Sequence, residues 1–158
     1  MKDKKTISVW LKLEDGQNAG KFILQKRSED NKNFHYICQA AWAGEIEDKE
    51  SAEDAIKREC REELGNNFAD NFDFLELELI SIESFLLNGE NWESHNFFGR
   101  IKDNLLKTVK LHSEAKPEFI FIGKNDEVYS LESGKDPKIN IVLFGDQYKT
   151  LKKILNGN

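Results

Sequence analysis

Between Ala43 and Asn66 the chain reads AGEIEDKESAEDAIKRECREELGN, and the second half of that stretch is written as a helix. Ser51 is a natural N-cap, and Asp54 follows at the spacing of a capping box. Ala52, Ala55, Ile56, Cys60 and Leu64 recur at helical intervals and draw one apolar stripe, after which Gly65 supplies the stop. The pattern predicts a helix over residues 52–64. On it Glu59 and Glu63 stand one turn apart with Glu62 beside them, so that their carboxylates share one stripe. Like charges so placed cost a few tenths of a kcal/mol per pair, which Arg58 and Arg61 only partly offset. A divalent cation removes the conflict, because Mg²⁺ prefers hard oxygen ligands and divides itself between carboxylates, water and substrate phosphates. The plain alternative is a solvated acidic helix face.

Upstream, ISVWLKL at 7–13 puts Ile7, Val9, Leu11 and Leu13 on one face and Ser8, Trp10 and Lys12 on the other, the period of a strand. EDGQNAG at 14–20 turns the chain into a second strand at 21–27, making a hairpin, and FHYICQAAW at 34–42 reads as a third, largely buried strand. Downstream, FLELELISIESFLL at 74–87 alternates through Leu75, Leu77 and Leu79 and changes phase at Ile80 and Ile82, which predicts one long strand with a bulge. NFFGRI at 96–101 is its return strand, 102–118 a long polar loop, and 119–122, 127–132 and 139–144 short strands. From Asp146 to Leu155, Tyr148, Leu151 and Leu155 recur at helical spacing, with Asp146 as N-cap and Gly157 as stop. Strands, a helix, more strands and a closing helix at about 146–155 indicate an α+β fold.

A length of 158 residues with 39% hydrophobic side chains suits one domain over residues 1–158. There is no long apolar run and no secretory leader, so a soluble cytoplasmic protein without membrane attachment is expected. Cys38 and Cys60 are too few for a disulfide framework and are expected to be reduced and buried. A net charge of −6 argues against a nucleic-acid-binding surface. The sequence is compatible with a monomer or a homodimer.

The stretch resembles the Nudix box, the acidic catalytic segment of the Nudix hydrolases. Gly44, Glu50, Arg58, Glu59, Cys60, Glu62, Glu63 and Gly65 fall in its register. With each named position filled at roughly one in ten or less by composition, a chance match at a given start is on the order of one in ten million. Two departures stand out: Asn66 replaces the last aliphatic, and Ala43 stands where the family has a second glycine. A left-handed backbone there would strain Ala43, whereas a carbonyl serving as metal ligand is supplied equally well by alanine; the second reading is favoured.

The resemblance implies an αβα sandwich with a mixed sheet and metal-dependent cleavage of a diphosphate linkage in a nucleoside diphosphate joined to another moiety. Glu59, Glu62 and Glu63, with the Ala43 carbonyl, are the implied ligands of Mg²⁺ or Mn²⁺, which neutralises the diphosphate and activates the attacking water. Arg58 is similar to the arginine that orients a neighbouring glutamate. Glu50 is assigned to the site or to bracing its loop, and Glu114, with Glu118 second, is the candidate acid from a distant loop. Arg27 ends the second strand and is a candidate for a bidentate phosphate contact, against an ordinary ion pair. Trp92, with His95 and Phe97, is a candidate to stack on a base, against simple hairpin packing. Alternatives are a binding module that holds a diphosphate ligand without cutting it, and an RNA 5′-end pyrophosphohydrolase, which the acidic balance disfavours. Residues 76–90 hold neither the proline nor the tyrosine that mark some subgroups, so ADP-ribose and diadenosine polyphosphates gain no support.

Overall fold

A computed structural model describes residues 4–28, 34–111 and 117–157. In chain order these form β1 (Lys4–Leu13), β2 (Phe22–Lys26), β3 (Cys38–Gln39), β4 (Trp42–Glu45), α1 (Ala52–Leu64) and α2 (Asn66–Asn71). There follow β5 (Glu78–Leu87), β6 (Glu90–Ile101), α3 (Asp103–Leu106), β7 (Glu118–Ile122), β8 (Val128–Ser130), β9 (Ile141–Leu143) and α4 (Gly145–Gly157). The strands make one mixed sheet in the order β5-β6-β1-β2-β3-β9-β8, with β4 also paired to β1 and β7 to β2.

β1 organises this sheet. Along one side it runs parallel to β6 over its whole length, from Lys4 opposite Trp92 to Leu13 opposite Ile101. Along the other it forks, pairing with β4 through Thr6 to Val9 and with β2 at Leu11 and Lys12. The fork delivers the chain from β4 directly into the loop before α1.

Helices cover both faces, giving the αβα sandwich. Ile7, Val9, Leu11, Leu13 and Ile23 pack with Trp42 against Ala55, Ile56, Cys60 and Leu64 of α1. On the opposite face Trp10, Phe22 and Leu24 pack against Leu151 and Leu155 of α4. Trp10, expected on a polar face, is fully buried, and its indole N–H donates to Asn96 Oδ1 at 3.1 Å. A strand covered on both sides does not alternate between core and solvent. Gln147 ties α4 down, accepting from the Ala40 N–H at 2.9 Å and donating to Ser8 Oγ at 2.9 Å.

Several boundaries differ from the sequence expectation. The strand expected over 34–42 is two short ones, and the first starts only at Cys38 because Phe34 and Tyr36 take left-handed backbone (φ 57° and 64°) that no strand accommodates. At 74–76 a single 3-10 turn precedes β5, held by Asp73 accepting from the Leu75 N–H; the bulge falls between Leu79 and Ser81, as the phase change indicated. The return strand starts at Glu90, earlier than expected, and the polar loop contains the short helix α3. Only Val128–Ser130 of the 127–132 stretch is strand; a 3-10 turn follows it. Gly65 does stop α1, at φ 91°, but α2 starts at the next residue. Asp146 lies in the first turn of α4 rather than before it.

α2 exists for packing. Phe68 and Phe72 stack at 5.4 Å and both meet the Trp42 ring edge-on, while the Trp42 indole N–H donates to Ile56 O at 3.0 Å. Phe68→Ala should therefore cost about 3–5 kcal/mol in urea unfolding, the cost of emptying a buried aromatic position, with α1 losing its lateral support. Leu75→Ala, at a position 96% exposed, should leave the midpoint nearly unchanged.

Candidate active site

α1 begins where Ser51 Oγ accepts from the Asp54 N–H at 3.1 Å. Its buried stripe of Ala55, Ile56, Cys60 and Leu64 fixes its rotation on the sheet, and that rotation aims Glu59 and Glu63 at the end of β4. The contact with β4 is close. A Cβ added to Gly44 would fall 2.1 Å from Glu59 Cδ, so only glycine lets this carboxyl lie across the strand.

Glu63 accepts from the Ala43 N–H at 3.4 Å and from Gln25 Nε2 at 3.3 Å, while Gln25 Nε2 also donates to Ala41 O at 2.6 Å. Glu59 and Glu63 are within hydrogen-bond contact of each other. Burial and the neighbouring Glu59 push Glu63 up to about 9, and burial raises Glu59 as well, against the pull of Arg58. Burial and mutual repulsion thus work against both carboxyls being charged at once, a cost that added positive charge would relieve.

Arg58 sets the rest of the corner. Its Nε and Nη2 form a fork on Glu50 at 2.9 and 3.0 Å, Nη2 also donates to Glu45 O at 2.9 Å, and Nη1 reaches Glu59 at 2.9 Å and Glu62 at 3.4 Å. Glu50, lowered to about 2 chiefly by Arg58, also accepts from the Glu47 N–H at 3.0 Å. Glu50 thus clamps the loop to the helix and leaves Glu59 and Glu63 as the inward carboxylates. Glu62 points outward, its side chain 58% exposed. Glu45 to Asp48, Arg58 and Glu59 line a recess of about 400 Å³ beside it.

Ala43 is not among the residues with left-handed backbone, so alanine is unstrained there. Asn66 is exposed at the start of α2 and receives a hydrogen bond from Arg61 at 3.4 Å; Phe68 provides the packing that the missing aliphatic would. Arg27 follows β2 two residues after Gln25, hence on the α1 side, and its buried Nε has no partner among the described residues. Glu118 lies in register with Lys26, on the opposite face from Gln25, and so away from the carboxylates. Glu114 lies outside the described residues.

The three aromatic candidates separate. His95 bonds Glu93 at 2.7 Å and Phe97 packs into the α1 core. Trp92 stacks on Phe85 at 6.2 Å, and both wall a cavity of about 330 Å³ with Leu87, Phe144, Gln39 and Asp146. Ala43 and Gly44 form another wall of that cavity, which therefore adjoins the carboxylate pair through the β4 backbone. No sequence signal marked Phe85 or Phe144, and Asp146 was marked only as a helix cap, because their meeting depends on where β5, β9 and α4 lie in the fold.

Comparison with known proteins places this architecture. The sequence profile of the NUDIX domain matches residues 3–136. The chain belongs to the Nudix family. It is a Nudix-type pyrophosphohydrolase by family and fold. A MutT protein from Methanosarcina mazei has a similar structure, with a TM-score of 0.61 at 17% identity over 98% of this chain and 94% of that one. The NUDIX domain of Shewanella oneidensis NrtR, crystallised with ADP ribose, gives a TM-score of 0.64 at 12% identity over 98% and 87% of the two chains. A C. elegans Ap4A hydrolase gives 0.54 at 14% identity over 77% and 80%. No curated protein sequence matches the chain.

The residues fit the divalent cation that the family implies. Among the described residues no three acidic, histidine or cysteine side chains form a ready cage. Mg²⁺ does not need one, since it commonly takes one or two carboxylates and completes its shell with water and phosphate. Glu59 and Glu63 supply that pair, and a cation between them would relieve their mutual repulsion.

Two outcomes follow. Gly44→Ala should lower turnover about 100-fold by displacing Glu59, with the circular dichroism spectrum unchanged. Because the folded protein holds Glu63 protonated up to about 9, above its ordinary 4.5, the metal-free fold binds the extra proton. That contribution is complete at low pH and is lost as pH rises toward 9. In EDTA the melting temperature should fall over that window, and Mg²⁺ should raise it more at the alkaline end than at the acid end.

Proposed function

We propose that this pyrophosphohydrolase cleaves the diphosphate linkage of a small nucleoside diphosphate derivative, with Mg²⁺ or Mn²⁺ held by Glu59 and Glu63 and the Ala43 carbonyl. The observation that carries the reading is the juxtaposition of this carboxylate pair with an aromatic-walled cavity across the Gly44 backbone. One part handles phosphate and the other accepts a flat ring. Bound there, a divalent cation neutralises the diphosphate and makes water a better nucleophile toward phosphorus.

The chain's own groups do the remaining work. Arg58 and Glu50 hold the loop so that Glu59 keeps its orientation. Gln25 and the Ala43 N–H orient Glu63. Glu62, exposed at the rim, would add a further carboxylate to the ligands of a bound cation. Arg27, with an unpaired guanidinium nitrogen, meets a terminal phosphate. Trp92 and Phe85 stack on the base. Glu114 is retained as a candidate acid on the loop. The two free thiols, both buried and pushed up to about 12 by burial, suit a reducing cytoplasmic compartment. Among the described residues no helix is long and apolar enough to cross a membrane.

A panel of nucleoside triphosphates, oxidised nucleotides, dinucleotides and nucleotide sugars should show metal-dependent release of a nucleoside monophosphate and a second phosphorylated product. Glu63→Gln should lower kcat/KM at least about 100-fold. Trp92→Ala should raise KM about tenfold with kcat little changed, the signature of lost ring binding. Saturable binding of a diphosphate in Mg²⁺ with no turnover across the panel would establish a binding module in place of an enzyme.

A further inference from the structure

On the α4 face of the sheet, across from the carboxylate pair, strand register sets two cations side by side. Lys12 of β1 lies opposite Arg100 of β6 and, on its other flank, opposite Phe22 of β2, so all three share that face. Adjacent strands run about 4.8 Å apart, and like charges on neighbouring strands repel. Among the described residues neither cation has a carboxylate within ion-pair distance. Lys12 Nζ instead sits 5.7 Å over the Phe22 ring and Arg100 Cζ 4.9 Å over the Phe98 ring. The two rings meet at 6.0 Å, so both cations stand over one continuous aromatic floor. That floor belongs to a cavity of about 320 Å³ between the sheet and α4, a volume that suits a small ligand. Ile154 of α4 forms one apolar wall, and the bulge in β5 turns Ile80 in to form another.

We propose that this cavity binds a small organic phosphate, a monoester whose dianion lies between Lys12 and Arg100 and whose apolar body rests on Ile80, Ile154 and the edges of Phe22 and Phe98. The charge of the lining selects an anion. Three cations, Lys12, Arg100 and Lys153, line the cavity against one carboxylate, Glu78, in a chain whose net charge is −6. Lys153 is taken by Glu83 at 2.6 Å, and Glu78 forms no ion pair with the other two, which leaves two positive charges uncompensated. A phosphate monoester carries up to two negative charges to meet them, where a carboxylate carries one. The guanidinium fork of Arg100 engages two phosphate oxygens and Lys12 adds a point charge. Ser81 Oγ accepts from Asn96 Nδ2 at 3.3 Å, so its own hydroxyl proton is left to donate to a third oxygen. The isoleucine walls select an ester over the bare ion, because they gain only when apolar surface covers them. Glu59 and Glu63 need a cation before a phosphate can approach, whereas this cavity needs none.

Heteronuclear NMR titration of the isotope-labelled full chain in EDTA, with phenyl phosphate and separately with inorganic phosphate, tests this without metal or turnover. The outcome is therefore independent of the catalytic reading. Phenyl phosphate should bind saturably, at least about tenfold tighter than inorganic phosphate, and should move the amide signals of Ile80, Ser81, Arg100 and Ile154. Arg100→Gln and Lys12→Gln should each weaken that binding at least about tenfold, the loss expected for one charge-assisted contact. Trp92→Ala, in the cavity beside Gly44, should leave it unchanged. Four results would each overturn the proposal: no saturable binding, equal affinity for the two phosphates, unaltered binding in either charge variant, or loss of binding in Trp92→Ala. Should Lys12→Gln not fold, Arg100→Gln, at an exposed position, decides alone.

Discussion

Glu59 and Glu63 sit one turn apart on α1, and the fold presses both into the same corner rather than letting them spread into solvent. Glu63 is held by Gln25 from β2 and by the Ala43 N–H, and Glu59 lies over Gly44 with no room for a methyl group between. Two largely buried carboxyls in contact each raise the cost of ionising the other. The corner is costly to a metal-free protein and suited to a cation, and the surrounding features either hold it in place or make it useful.

Holding it requires that α1 be fixed in rotation and in position along the sheet. Rotation comes from the buried stripe of Ala55, Ile56, Cys60 and Leu64, and from the aromatic cluster of Trp42, Phe68 and Phe72 behind it. Position comes from Arg58, whose fork on Glu50 and bond to Glu45 O tie the loop to the helix. The fork in β1 matters equally, because pairing to β4 on one half and β2 on the other brings Ala43 and Gln25 to the same carboxylate. The proposed chemistry depends on strand pairings far apart in sequence as much as on the helix that carries the acids.

Much of this was legible in the sequence, and the limit has a physical basis. Local features were: Ser51, Asp54 and Gly65 bound α1, and Leu151 and Leu155 mark α4, because helix caps and stripes involve residues within a few turns of one another. The Gly44 to Gly65 register nominated Glu59 and Glu63, and the structure brings these two together beside the β4 backbone because their helix spacing is local. Features set by long-range packing were not. Trp10 looked solvent-facing until α4 covered it, α2 was hidden by a glycine that ends one helix and caps the next, and Phe34 and Tyr36 break a strand that hydrophobicity alone would continue. The cavity walled by Trp92, Phe85, Phe144 and Asp146 draws on three distant segments, and only Trp92 of that set was singled out in advance for binding.

The central claim is that the Glu59 and Glu63 pair is a divalent-cation site before any substrate arrives. Electron paramagnetic resonance titration of Mn²⁺ into the substrate-free protein measures this directly, by the loss of the free-ion signal. Saturable binding in the unaltered chain, lost in Glu63→Gln and retained in Glu118→Gln on the opposite face, is the predicted result. Equal Mn²⁺ binding in the unaltered chain and in Glu63→Gln would contradict it.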